Sequence, residues 1–263
     1  MNSLLVSGNI LKRAFRQRKE LLLLTLLPIV IVSLISYLIT DGTGNVEVGE
    51  AGFMVSYRVA GTQQGEDFEG YLTTLGFMIT FIMIFAFIYM GNLMEDKRRL
   101  VLARIFSYPV GEWEIITGNL LGNLVLGLMQ LVPLLILLKI IFGLPFDGRF
   151  IGLSLILLAF LVTSIGLGIG LSGIIKKFNP VLLIATIIVP SSVLGGAFIP
   201  SSMMPEWMDK AGYIVPQKWV MVAAERVLQG AELGNIALQI LIILGFGLAF
   251  ATFGIKTLKP MGE

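Results

Sequence analysis

The chain contains no cysteine and no histidine. Disulfides, thiolate nucleophiles, imidazole metal ligands, Ser-His dyads and histidine proton relays are therefore excluded from its chemistry. Charge is scarce too: Asp, Glu, Lys and Arg make up 14% of 263 residues, with a net charge of +2. No G-x-x-x-x-G-K-[S/T] stretch occurs, so the chain carries no P-loop. Gly168-Ile169-Gly170-Leu171-Ser172-Gly173 fits G-x-G-x-x-G, but it follows no strand and no acid stands about 20 residues on, so it reads as helix-packing glycine rather than a dinucleotide fingerprint.

Apolar residues are what the chain has in abundance. They account for 56% of it, and the mean hydropathy is +0.89. This composition is far from that of a soluble domain and predicts an all-α membrane protein. Runs long enough for the roughly 20 residues of a bilayer crossing fall at about residues 21–39, 71–93, 115–141, 150–175, 181–198 and 233–255. The expectation is six transmembrane helices in a single transmembrane domain over residues 1–263, with no sizeable soluble domain.

Ahead of the first span, residues 2–19 place Leu4, Leu5, Gly8, Leu11 and Phe15 on one face and Lys12, Arg13, Arg16 and Lys19 elsewhere. This is the pattern of an N-terminal amphipathic helix at the membrane interface. A signal-peptide n-region is the alternative, but the apolar run that follows is too long and no small-x-small site succeeds it. The loop from Asp41 to Gly70 is Gly-rich and acidic, and alternation at Phe53, Val55, Tyr57 and Val59 predicts a small strand or hairpin there.

Polar and aromatic residues inside the spans narrow the roles available. Phe77, Phe81, Phe85 and Tyr89 recur every fourth residue, a stripe that either lines a path for a greasy substrate or packs against neighbours. Asn119, Asn123 and Gln130 should face protein or a cavity, because lipid offers amides no partner. Gly166, Gly168, Gly170 and Gly173 allow close approach of another helix. Thr186, Pro190, Ser191 and Ser192 make the fifth span a deformable wall, and Thr186 and Ser191 join Phe77, Phe81 and Phe85 as candidate pathway residues.

Two stretches outside the spans carry the strongest signals. The first runs from Glu95 through Asp96, Lys97, Arg98, Arg99 and Arg104 to Ser107, Pro109 and Val110, then an acidic pair, Glu112 and Glu114, ahead of Gly118. Leu100, Ala103 and Phe106 share a helical face, which predicts a short helix lying across the membrane surface. The second runs from Gly195-Gly196 through Pro200, Met204-Pro205, Trp207 and Pro216 to Trp219 and Glu225-Arg226, predicting two short helices at the outer interface. Orientation follows from the basic residues. Thirteen of the 19 Lys and Arg fall before span 1, between spans 2 and 3, after span 4 and after span 6, which places both termini in the cytoplasm.

Both stretches are similar to those of ABC-2-type transporter permeases. Glu95, Ser107, Pro109, Val110, Glu112, Glu114 and Gly118 resemble that family's first cytoplasmic loop, and the segment from Gly195 to Arg226 resembles its external re-entrant helices. The resemblance implies a permease in the cytoplasmic membrane, paired with a second permease subunit, identical or related, and docked on a separate nucleotide-binding ATPase. ATP and Mg would be held by that partner and no cofactor or metal by this chain; membrane lipid is a partner and nucleic acid is not. The short helix then becomes a cytoplasmic coupling helix, with Glu95, Asp96, Arg98, Arg99 and Arg104 as its docking residues. Pro200, Pro205, Trp207, Pro216 and Trp219 mark the two external re-entrant helices.

The expected function is export of an amphiphilic or hydrophobic substrate, such as a drug, lipid or peptide-like molecule, by alternating access. An ion or a polysaccharide is the alternative cargo within the family. An intramembrane enzyme would need ionisable or nucleophilic groups at membrane depth, and the one charge near a span interior is Lys139, close to its end. A secondary transporter would draw on buried Asp, Glu or His, which the spans lack.

Overall fold

The structure, a computed structural model, describes residues 2–16, 22, 25–34, 63–98, 112–142, 147–174 and 179–258. Among these residues every regular element is helical: α1 (Asn2–Arg16), α2 (Thr25–Leu34), α3 (Gln63–Arg98), α4 (Glu112–Phe142), α5 (Gly148–Ile174), α6 (Pro180–Leu194), α7 (Glu206–Gly212), α8 (Pro216–Leu228) and α9 (Ala237–Leu258). Short 3-10 turns stand at Ser201–Met203 and Leu233–Ile236. Among the described residues four stretches are long and apolar enough to cross a membrane, namely Gly70–Gly91, Thr117–Ile140, Gly148–Ser172 and Leu233–Gly254. The expected first and fifth spans are represented among the described residues by the shorter apolar helices α2 and α6.

Helix ends depart from expectation most clearly at α3 and α6. α3 begins at Gln63, inside the segment read as loop, and continues to Arg98, past the end expected at residue 93. It contains no proline to stop it, and Glu66, Asp67 and Glu69 lie near its positive dipole end. Glu95, Asp96 and Arg98 therefore form its last turn rather than opening a loop. α6 ends at Leu194, four residues short of the expected limit, because Gly196 turns the chain away with a φ of 84°. The alternating stretch at Phe53–Val59, the expected coupling helix, Arg99 and Arg104 lie outside the described residues.

The core is built around the α5–α9 pair. A Cβ on Gly166 would lie 2.4 Å from the Gly247 carbonyl oxygen, and one on Gly254 would lie 2.3 Å from that of Ile169, so the two backbones touch where only glycine fits. The Thr163 hydroxyl donates across the same seam to the Ile243 carbonyl at 2.8 Å. Gly170 meets Phe250 of α9, whereas Gly168 turns to Met90 of α3. α8 lies against this pair and buries Val220, Ala223, Ala224 and Val227, and Gly152 of α5 is the hollow that receives Val227.

α1 packs on α4 by a face rotated from the expected one. Ser7 and Ala14 are buried, Ile10 sits over Gly122, and Phe15 points outward. Ile10 and Leu11 pack beside Ala14 on this face, and Phe15 is left to the exposed side. Beneath α1 lie Phe85 and Tyr89 of α3 and Leu126 of α4.

Replacing Gly166 with Val is expected to lower stability by about 1–3 kcal/mol, the usual cost of overpacking. Gly245→Ala, where an added Cβ meets nothing within 4 Å, is expected to be neutral or stabilising. Thermal denaturation of the two detergent-solubilised variants checks the pair.

Candidate functional site

Prolines shape the segment between α6 and α9. The Pro200 carbonyl accepts from Met203 N, and the Pro205 carbonyl accepts from Met208 N at 2.9 Å and Asp209 N at 3.0 Å, so each proline starts a helical turn. Pro216 occupies the first turn of α8, where its missing N–H costs nothing. Trp219 Nε1 donates to the Tyr213 carbonyl at 3.1 Å, and the two rings meet edge to face at 5.3 Å. Trp207, on α7, is exposed.

Two adjacent residues in the first turns of α8 fasten this cap. Lys218 is 1% exposed, and its ammonium donates to the Ser201 hydroxyl at 2.6 Å and to the Asp209 carboxylate. It also stands 5.5 Å from the centre of the Tyr213 ring. One buried cation thus holds the 3-10 turn, α7 and the α7–α8 connection together. Donation from Lys218 is the main reason that the Asp209 carboxyl titrates below its ordinary value of 3.8; partial burial opposes it, and the Lys218 charge and the Ser201 hydroxyl add to it.

Gln217 fastens the cap to the spans. It is fully buried, and its Nε2 donates to Ser191 Oγ of α6 at 2.8 Å and to Met83 Sδ of α3 at 3.0 Å. Gly195 makes room for it: a Cβ there would lie 2.5 Å from Gln217 Cβ. Nearby, Gly76 of α3 lies under the Ala197 carbonyl, which a Cβ would approach to 1.7 Å. Position 217 reads from sequence as a polar residue after a proline, and its role depends on three helices meeting.

A second row of amides joins α3 to α4. Asn123 Nδ2 donates to Met90 Sδ at 3.3 Å and to the Asn119 carbonyl at 2.8 Å, and Gln130 Nε2 donates to the Phe81 carbonyl at 3.4 Å. Both amides face protein, as their place inside a span requires.

The pathway candidates are dispersed. Phe85 is buried against Tyr89 at 4.6 Å beneath α1, and Phe77 packs on Phe198 at 4.9 Å. Phe81 is partly buried in the main core. Ser191 joins the Gln217 contact, whereas Thr186 is exposed and its hydroxyl donates back to the Leu182 carbonyl at 2.7 Å. Glu225 and Arg226 do not pair: Glu225 accepts from Gln229, and Arg226 donates to the Asn235 carbonyl at 3.4 Å. Among the described residues no group of acids could hold a metal ion.

A family model described as ABC-2 family transporter protein matches residues 51–256. No curated protein matches the chain.

Because the Asp209 carboxyl is held low in the folded chain, its contribution to stability is complete above pH 3.8 and is lost as pH falls through the depressed value. Trp219 fluorescence, with Trp113 and Trp207 replaced by Phe, is expected to stay flat down to about that pH and to change below it, and Asp209→Asn is expected to remove that acid limb. Asp209→Ala is also expected to destabilise the chain more than the double change with Lys218→Met does, since the single variant strands a buried cation. Equal melting temperatures for the two would contradict the clamp.

Proposed function

The chain belongs to the ABC-2 transporter family, and from that premise we propose that it is the membrane-spanning subunit of an ATP-driven exporter, worked by a separate ATPase chain. Membership makes it a transport subunit that is not itself catalytic, and it implies an ATPase partner. The observation that carries the finer reading is the continuity of α3. This helix leaves its apolar stretch at Gly91 and runs on unbroken to Arg98, ending in Glu95, Asp96, Lys97 and Arg98.

Its 36 residues span about 54 Å at roughly 1.5 Å per residue. A partner that pushes on its charged end moves a single rigid rod. Along that rod lie Met90, which accepts from Asn123 of α4, and Met83, which accepts from Gln217 of α8. Displacement of α3 therefore reaches α4, α6 and the cap at the same time, which is how a local docking event biases a two-state bundle.

In this reading the charged end faces the cytoplasm with both termini, and α7 and α8 are the external re-entrant helices, with Trp207 at the interface. A second permease copy, identical or related, covers part of the apolar surface that a single chain leaves open. α9 is the clearest case: its apolar stretch is 22% buried, against 67% for α5. The cargo is amphiphilic or hydrophobic, consistent with spans in which the amides of Asn123 and Gln130 donate to α3. ATP and Mg are held by the partner.

Arg98→Glu is expected to leave expression intact while weakening association with the P-loop protein that co-purifies with the tagged chain by about tenfold, the effect of roughly 1.4 kcal/mol. Pull-down and ATP hydrolysis by the reconstituted complex check this, and undiminished association and transport would contradict the docking role.

A further inference from the structure

α1 carries two faces of different kinds. The first is committed to protein: Ser7 and Ala14 are buried, and Ile10 lies over Gly122 of α4. The second lies on the opposite side of the helix. Lys12, Phe15 and Arg16 stand three and four residues apart, hence side by side, and all three are exposed. Gly8 is one turn before Lys12 on this side. A Cβ there would meet nothing within 4 Å, so no described residue covers that part of the face.

The course of α1 matters as much as its faces. Ile10 meets Gly122, and Ala14, one turn on, belongs to the same cluster as Leu126, one turn on along α4. α1 therefore runs beside α4 in the same direction, along the apolar stretch that begins at Thr117. Leu126 stands about 13 Å past Thr117, at roughly 1.5 Å per residue. Lys12 and Arg16 flank Ala14 in sequence on the far side of α1, so two cations are carried alongside a span. Their apolar stems let the charged ends reach back toward the membrane surface, where each still needs an anion.

The chain does not supply that anion. α1 contains no acid, and among the described residues no carboxylate pairs with Lys12 or Arg16. Arg13, at the edge of the patch, is engaged within the chain. The lipid around a span offers phosphates at the level to which the two side chains reach. A zwitterionic headgroup brings its own ammonium to compete for that phosphate, and a net-negative one does not.

We propose that Lys12 and Arg16 bind the phosphate of an anionic phospholipid, with its acyl chains lying over Phe15 and the open side of Gly8. The bound lipid is one helix removed from α3, whose Phe85 and Tyr89 lie under the other face of α1. The site stands apart from the export reading, so its failure would leave family membership untouched.

The test uses the full chain reconstituted in vesicles, with Phe15→Trp as the sole tryptophan after Trp113, Trp207 and Trp219 are replaced by Phe. Brominated phosphatidylglycerol and brominated phosphatidylcholine quench a tryptophan that they touch, and mixtures with the unbrominated lipids give their relative affinities at that one position. Phosphatidylglycerol is expected to be preferred by about fivefold for each of the two basic side chains. Lys12→Gln combined with Arg16→Gln is expected to bring the two lipids to parity. A tryptophan placed instead at Leu248, an exposed position of α9, is expected to show parity with Lys12 and Arg16 intact. Should Phe15→Trp fail to reconstitute, a bimane on Asn9→Cys, an exposed position of the same helix, is quenched in the same way. Four results would overturn the proposal: parity at position 15, a preference that survives the double change, an equal preference at position 248, or no quenching by either lipid. Loss of the preference in inorganic phosphate, but not in chloride of equal ionic strength, would assign the patch to the free anion and also overturn it.

Discussion

A lysine ammonium buried among helices must be neutralised where it stands, and the arrangement around Lys218 follows from that requirement. Its carboxylate comes from α7 and its hydroxyl from the 3-10 turn at Ser201–Met203, so the irregular chain between α6 and α8 is drawn onto the first turns of α8. α8 itself is committed to the core through Val220, Ala223, Ala224 and Val227. With Lys218 fixed in place, its neighbour Gln217 is held against α3 and α6. The cap is thereby a structural part of the bundle.

The spans obey the same rule in neutral form. Amides inside an apolar bundle have few partners, and two of them donate to methionine sulfurs seven residues apart on α3, Asn123 to Met90 and Gln217 to Met83. A thioether is a weak acceptor that also fills space in an apolar core. Contacts of this kind fix which helices meet without locking them as an ion pair would. The charge-assisted bonds of Lys218 lie within the cap, and the neutral ones of Gln217 lie between the cap and the spans.

Much of the fold was legible in the sequence, for identifiable reasons. Apolar run length located the four long stretches, and the glycines at Gly166 and Gly170 announced a close helix partner, which proved to be α9. Asn123 and Gln130 had to face protein, and they do. The turns at Pro200, Pro205 and Pro216 read directly from the fixed φ of proline. Other features needed three-dimensional context. Lys218 looks like one more outer positive charge until Asp209 and Ser201 fold onto it. α1 turns Ala14 inward onto Phe85, Tyr89 and Leu126, with Ile10 over Gly122, and Phe15 outward. The aromatic stripe divides, because Phe85 and Tyr89 lie under α1 while Phe77 meets Phe198, and nothing in its spacing reveals which neighbour arrives.

The central claim is that residues 201–228 are fastened to the core of a transport subunit through α8 and do not form a loop draped over it. Hydrogen–deuterium exchange of the full chain in lipid nanodiscs tests this most directly. The amides of Pro216–Leu228 should be protected to the same degree as those of α5, and Lys218→Met should release those of α7 first. Exchange across 201–228 as fast as that of an unprotected peptide, with α5 still protected, would contradict the account.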